Sequence, residues 1–334
     1  MRQRLWSVAG MMMGMVLLLP VPGMAQDDFS QWLTTFRQEA EESGISPETL
    51  DAALAGLQPI PQVIDLDRRQ PELTRTYRQY VEAVVSPRRV ALARENLERH
   101  RPLLEEVGSR YGVPSRLLVA LWGVESNFGA GTGSYPVVAS LATLAWEGRR
   151  GPFFRRQLLQ ALQIIDEGHI PAPQMTGSWA GAMGQFQFMP STFRRFAVDY
   201  DGDGRKDIWT NPADAFASAA NYLRQAGWRT GMGWGQRVQI PSRFDATLAG
   251  LKTRRTYRQW RQLGIKGVQG PDSRLASLLL PEGPEGDAFL VTDNFRVLLD
   301  WNRSTLFALA VGLLADELLP GSKDRPAFPG KPGG

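Results

Sequence analysis

Residues 117–129 (LLVALWGVESNFG) constrain this chain more than any other stretch, because they read as an apolar helix carrying one acid on its core side. Leu117, Leu121 and Val124 recur at helical spacing, and Leu118 and Glu125 lie seven residues apart. Glu125 therefore projects from the leucine side, above Leu121 and Leu118. An unpaired carboxylate on a core-facing stripe is costly, so a neutral acid with a raised pKa is the cheaper state. A neutral acid near pH 7 is what general acid catalysis requires. The same spacing also suits a buried glutamate that pairs with an arginine or caps a helix, so the position alone leaves both roles open.

The surroundings narrow the choice. Arg2 and Arg4 precede an apolar run from Leu5 to Leu19, followed by Pro20, Pro22 and the small-residue site at 23–25. This layout predicts a signal peptide over residues 1–25, cleaved before Gln26. The alternative is a membrane anchor, for which the run is short against a span of about twenty residues. The chain has no cysteine, which excludes lipid attachment at a signal-peptide cysteine, disulfides and thiolate metal sites. Losing Arg2 and Arg4 lowers the formal charge from +4 to +2, and no lysine–arginine block points to nucleic acid. A soluble exported protein is expected, and its size allows a sufficient core without disulfides.

Along the chain, residues 26–110 are helical in texture. Ser46, Pro47 and Glu48 form a helix start, and Ser86-Pro87 another. The proline-rich residues 58–65 read as extended, and helices are expected over 77–84 and 90–107. Residues 111–320 hold the Glu125 helix, helices over 137–146, 153–167, 212–223 and 305–318, a basic helix over 253–263, and strands near 237–240 and 288–292. The last residues, 321–334, are rich in Pro, Gly and Lys and read as a disordered tail.

Two further stretches carry chemistry. Residues 177–190 interleave glycines with aromatics and amides, which lets backbone approach a ligand while Trp and Phe offer stacking faces, or else forms a tight core turn. Residues 199–207 place Asp199, Asp201 and Asp203 at positions 1, 3 and 5 of a calcium-type loop, with Gly204 at 6, the carbonyl of Arg205 at 7 and Asp207 at 9. Thr210 stands where a bidentate Glu is usual, and Asp214 is the candidate replacement within an EF-hand-like loop over 199–214. An acidic surface turn is the alternative.

An exported helical protein with one buried acid and many aromatics suggests cleavage of a carbohydrate. Ordinary glycosidases use two carboxylates, yet no second acid stands out beside Glu125. Glu147 and Asp166 are near only in sequence and read as solvated helix faces. Residues 125–129, 178–190, 201–204, 221–223, 294–295 and 301–304 together resemble the membrane-bound lytic murein transglycosylase B family, and the resemblance spans about Phe29 to Leu319. It implies a mainly α (α+β) fold: a lysozyme-like core with an added helical domain and a small β-containing segment. It also implies non-hydrolytic cleavage of the MurNAc–GlcNAc bond of peptidoglycan to 1,6-anhydro-MurNAc ends. One glutamate then acts as acid and afterwards as base, because the nucleophile is the sugar's own C6 hydroxyl.

The resemblance assigns that role to Glu125, and places Ser178 near it. Gln187, Phe188, Tyr222, Asn302 and Tyr80 would line the sugar groove, while Arg149 and Arg150 would meet peptide or lactyl carboxylates. Trp301 and Phe307 stand where tyrosines are common, which predicts stacking without the hydroxyl hydrogen bonds. A soluble periplasmic monomer acting on glycan strands is expected, possible company being other cell-wall enzymes. No cofactor is expected for the chemistry, only structural calcium. A lysozyme-type hydrolase and a non-catalytic peptidoglycan-binding protein are the alternatives.

Overall fold

Most helix starts are written locally. Ser46, Thr76 and Ser86 each accept a hydrogen bond from the backbone N–H three residues on, and Pro47 and Pro87 occupy the first turn. The computed structural model describes residues 22–69, 75–147 and 149–321. The expected signal peptide lies outside these residues, apart from residues 22–25 at the start of the first helix, and so does the expected tail beyond Gly321.

The N-terminal part comprises α1 (Pro22–Glu42), α2 (Pro47–Leu54), α3 (Pro61–Arg69), α4 (Tyr77–Val84), α5 (Pro87–Arg99) and α6 (Arg101–Tyr111). Two expectations are corrected here. The proline-rich segment is not extended throughout: α3 begins at Pro61, with the Ile60 carbonyl accepting from the N–H of Val63 and Ile64. A proline at the first helical position costs nothing, since its missing N–H would have been unpaired there. The helix expected over 90–107 is two, broken at His100, because Pro102 cannot donate to the turn before it.

Gly112, in the left-handed region at φ 72°, ends α6, and α7 (Ser115–Ser126) follows. Residues 117–123 are all buried, as expected of a helix apolar on every side. It packs against α5, α6, α11 (Pro212–Gln225) and α14 (Thr305–Asp316). After it come β1 (Tyr135–Pro136), α8 (Val137–Glu147), α9 (Gly151–Asp166), β2 (Thr176–Gly177) and α10 (Pro190–Phe196). One continuous apolar core runs from Phe29 to Leu318, so α1–α6 share their interior with the helices around α7.

A four-stranded antiparallel sheet stands beside this core, with strand order β3-β6-β5-β4. Its strands are β3 (Gly235–Val238), β4 (Arg255–Thr256), β5 (Leu275–Leu279) and β6 (Ala288–Val291). Val238, Tyr257, Trp260, Leu278 and Leu290 contribute to its separate small core. The basic helix expected over 253–263 is shorter, α12 (Tyr257–Gln262): Thr256 caps it reciprocally with Gln259 while Arg255 and Thr256 pair with β5. The sequence reading missed β5, which lies centrally and, after the exposed Leu275, is buried on both faces, so it shows no alternation. Finally α13 (Asp293–Trp301) meets α14 at 117°, and among the described residues no single helix is long and apolar enough to cross a membrane.

Candidate active site and cation loop

The last turn of α7 carries Glu125 to the edge of the core. The helix stops abruptly because Asn127 and Phe128 both adopt left-handed backbone, at φ 50° and 59°. Such a conformation is uncommon for a bulky residue and persists only where its surroundings impose it. Here Phe128 packs edge-on against Trp122, and Ser126 accepts from the N–H of Gly129 while donating to the carbonyl of Gln185 at 2.6 Å. Ser126 thereby ties the end of α7 to the glycine-rich 177–190 stretch.

That stretch is folded tightly on itself. Tyr135 pairs with Gly177, and Met183 bridges to both Gly177 and Phe188. Gly133, at φ 94°, lies against the Gly177 carbonyl, where an added Cβ would sit 2.1 Å from that oxygen. The Ser178 hydroxyl accepts from the N–H of Ala182 at 3.0 Å and closes a turn. Gln187, itself at φ 52°, donates from its side-chain amide to the carbonyls of Thr132 and Gly184, so it holds the 129–135 loop in place.

Glu125 keeps partial access to solvent, yet burial pushes its carboxyl up to about 7. An opposing, weaker influence is a hydrogen bond from the indole N–H of Trp301 to Glu125 Oε1 at 2.7 Å. This corrects the expectation for Trp301: it keeps stacking and also supplies a donor, since an indole N–H reaches the carboxylate directly. Its ring lies 4.7 Å from Tyr222, 5.5 Å from Phe188 and 6.2 Å from Phe186, centroid to centroid. Tyr222 in turn donates to the carbonyl of Asp300 at 2.8 Å.

The remaining expected residues divide. Tyr80, on α4, is half-buried; burial first, then the charge of Glu125, pushes its hydroxyl up, so α4 lies within electrostatic reach of the acid. Phe188 is almost wholly buried and supports Trp301 from behind rather than presenting a face. Asn302 is exposed, accepts from the N–H of Ser304 and shapes the turn into α14. Arg149 and Arg150 converge on Asp67 of α3, at 2.7 and 2.6 Å. Asp67 is buried and its carboxyl is held below the usual range, first by Arg149 and against the opposing effect of burial. Sequence reasoning missed Asp67 altogether, because the proline-rich reading hid the helix that carries it.

Glu147 is occupied by Arg68 at 2.9 Å and Asp166 accepts from Ser46, so neither stands as a second catalytic acid. A depression of about 820 Å³ lies elsewhere, between α5, α6 and the residues after α14; there Arg101 pairs with Glu98 and Glu105.

In the acidic loop, carboxylate oxygens of Asp199, Asp201 and Asp203 come within 4.8 Å of one another. Asp199 accepts from the N–H of Gly202 and Gly204, which coils the loop. Asp214, fully buried at the start of α11, accepts from the N–H of Tyr200 and of Asp207, both at 2.7 Å, and so clasps the two ends. Burial pushes its carboxyl up, with the charges of Asp201 and Asp199 adding to that. Asp207 is not one of these three: it accepts from the N–H of Trp209 and Thr210 and caps a turn. The Arg205 guanidinium lies 3.7 Å from Asp203. Three converging carboxylates suit a hard divalent cation, which would offset their mutual repulsion.

Comparisons with known proteins cover most of the chain. The profile of the transglycosylase SLT domain matches residues 28–316. Membrane-bound lytic murein transglycosylase B of Escherichia coli is 34% identical over 209 residues, which cover 60% of this chain and 56% of that protein. SltB3 of Pseudomonas aeruginosa, solved in complex with NAG-anhNAM-pentapeptide, is 49% identical and superposes with a TM-score of 0.85 over 88% of this chain and 80% of that one. The Escherichia coli lytic transglycosylase Slt35, solved in complex with calcium, is 27% identical with a TM-score of 0.74 over 88% and 93%. The chain shares their mainly helical, lysozyme-like architecture and belongs to the lytic murein transglycosylase B family.

Proposed function

We propose that this protein is a lytic transglycosylase that cleaves the MurNAc–GlcNAc β-1,4 bond of peptidoglycan without water, with Glu125 as its only proton carrier. The observation that carries this is Glu125 itself, at the edge of the core, with its carboxyl raised to about 7 and one oxygen bonded to Trp301, while Glu147 and Asp166 are engaged elsewhere, by Arg68 and Ser46. A two-carboxylate glycosidase places its second acid about 5–10 Å away. Glu125 gives its proton to the glycosidic oxygen as the C1–O bond breaks. The C6 hydroxyl of the same sugar then bonds to C1 and returns its proton to Glu125. The nucleophile is intramolecular, so high effective concentration replaces a positioned water. SltB3, the 49% identical relative, was solved with the anhydro-sugar peptide such a reaction yields.

Trp301 bonds to the acid, Tyr80 lies within reach of its charge, and Ser178 and Gln187 shape the glycine-rich stretch; these residues, with Tyr222 and Asn302, make up the glycan groove. Asp199, Asp201, Asp203 and Asp214 hold a structural calcium ion, with Arg205 contributing its carbonyl. Residues 26–110 form the added helical part, residues 111–320 the catalytic part, and the protein works as a periplasmic monomer after loss of residues 1–25. Mass spectrometry of muropeptides released from purified peptidoglycan tests the reaction. Products carrying 1,6-anhydro-MurNAc, one water lighter than reducing ends, support it; reducing ends assign a hydrolase, and binding without release assigns a non-catalytic protein.

A further inference from the structure

The residue facing Glu125 most directly is Trp301, the last of α13. Its orientation is set by its neighbours: Tyr222 edge-on, Phe188 and Phe186 against the same ring, and the Tyr222 hydroxyl anchored on the carbonyl of Asp300. From that position its N–H reaches one specific oxygen, Oε1. An indole N–H only donates and has no lone pair to accept. A proton on Oε1 would face that N–H and break the bond, whereas a proton on Oε2 keeps it. We propose that Trp301 is a positioning residue that reserves Oε1 of Glu125 as a permanent acceptor and leaves Oε2 as the oxygen that gives up and regains the proton. This rests on Glu125 being the acid–base group. Both half-reactions then use one oxygen, and the carboxyl need not rotate between them.

Other titratable groups stand around this pair, among them Asp300, next to Trp301 in the chain, and Arg195, both of which act on Tyr222. Tyr80 on α4 senses the charge of Glu125, with Arg75 and Arg89 beyond it. Tyr222 on α11 packs against Trp301, and His100, between α5 and α6, lies against Trp122. None of them donates to Oε1.

The test uses the full chain labelled with ¹⁵N at its tryptophans, together with kcat and KM for muropeptide release across pH. In the wild type the indole signal of Trp301, assigned by its loss in Trp301→Tyr, shifts as Glu125 titrates; in Glu125→Gln it stays still. In Trp301→Phe, kcat falls about ten- to a hundred-fold, the effect of losing one hydrogen bond to a charged group. The alkaline limb of its kcat profile also moves to higher pH, because the lost bond had favoured the carboxylate. Trp301→Tyr, whose hydroxyl can donate, returns the limb toward the wild-type position. An indole signal that ignores pH in the wild type overturns the proposal, whether or not the phenylalanine variant folds. So does a folded Trp301→Phe enzyme that changes only KM. Full activity in Glu125→Gln instead removes the acid–base reading itself, while the indole titration would still report the contact.

Discussion

Asp67 and Arg149 form the tie that fastens α3 to the loop between α8 and α9: a buried carboxylate receives the Arg149 Nε–H at 2.7 Å, while a second Arg149 N–H donates to the Asp67 backbone carbonyl at 2.8 Å. Arg150 completes the clamp on the other carboxylate oxygen. The arginine pair expected to meet substrate carboxylates therefore already holds a carboxylate of the protein. Since the Asp67 pKa is depressed on folding, its contribution to stability is present above the unfolded value near 4 and is lost as pH falls through the folded value. Asp67→Asn is expected to melt earlier than the wild type at neutral pH, and the gap should close under acid conditions. Thermal melts from pH 2 to 7 measure this; an equal gap at every pH would assign the loss to packing alone.

Glu125 shifts in the opposite sense. Its folded pKa of about 7 lies above the ordinary 4.5, so the native state keeps a proton that the unfolded chain releases between those values. Stability falls as pH rises through this window, by on the order of 3 kcal/mol as an upper figure at about 1.4 kcal/mol per unit. Glu125→Gln removes the cost of burying the charge. We expect it to be more stable than the wild type above pH 7, to retain glycan binding, and to lose turnover by about 10²–10⁴-fold. Wild-type kcat should decline as pH rises past about 7. A variant less stable at pH 8, or one still turning over, would contradict the environment described for this acid.

Calcium should act on folding, not on chemistry. A cation that binds the Asp199–Asp201–Asp203 group in the folded state stabilises the fold by mass action, by about 2.7 kcal/mol when present at a hundred times its Kd, and so raises the Tm. Asp201→Ala should abolish the calcium-dependent rise. A melting curve unchanged between chelator and millimolar calcium would remove the metal from the proposal.

Gly133 tests the tight packing under the groove. Its φ of 94° and the Gly177 carbonyl in the place of a Cβ both exclude a side chain. Gly133→Ala is expected to cost about 2–4 kcal/mol, combining backbone strain with an overpacked contact. Because this loop is also held by Gln187, kcat should fall with stability. A melt within a degree of the wild type would show that the loop relaxes freely.

The properties legible in the sequence were those with local causes. Helix starts at Ser46 and Ser86 follow from a serine cap beside a proline, and the tight turns near the acid follow from glycine. Glu125 was conspicuous because an acid on an apolar helix violates a short-range pattern, and the acidic loop because its ligands repeat at fixed intervals. What tertiary structure alone decided depended on partners far away in the chain. Trp301 donates to Glu125 across 176 residues, and Arg149 meets Asp67 across 82, on a helix that a run of prolines disguised. Strand β5 lacks alternation because both its faces are buried, a fact set by its place in the sheet. Asp207 and Asp214 look interchangeable as acids in one loop, yet one caps a turn and the other closes the loop from inside a helix. A sequence pattern records which chemistry is available at each position; which oxygen meets which donor is fixed only when the core brings distant segments together and burial makes each unpaired polar group costly.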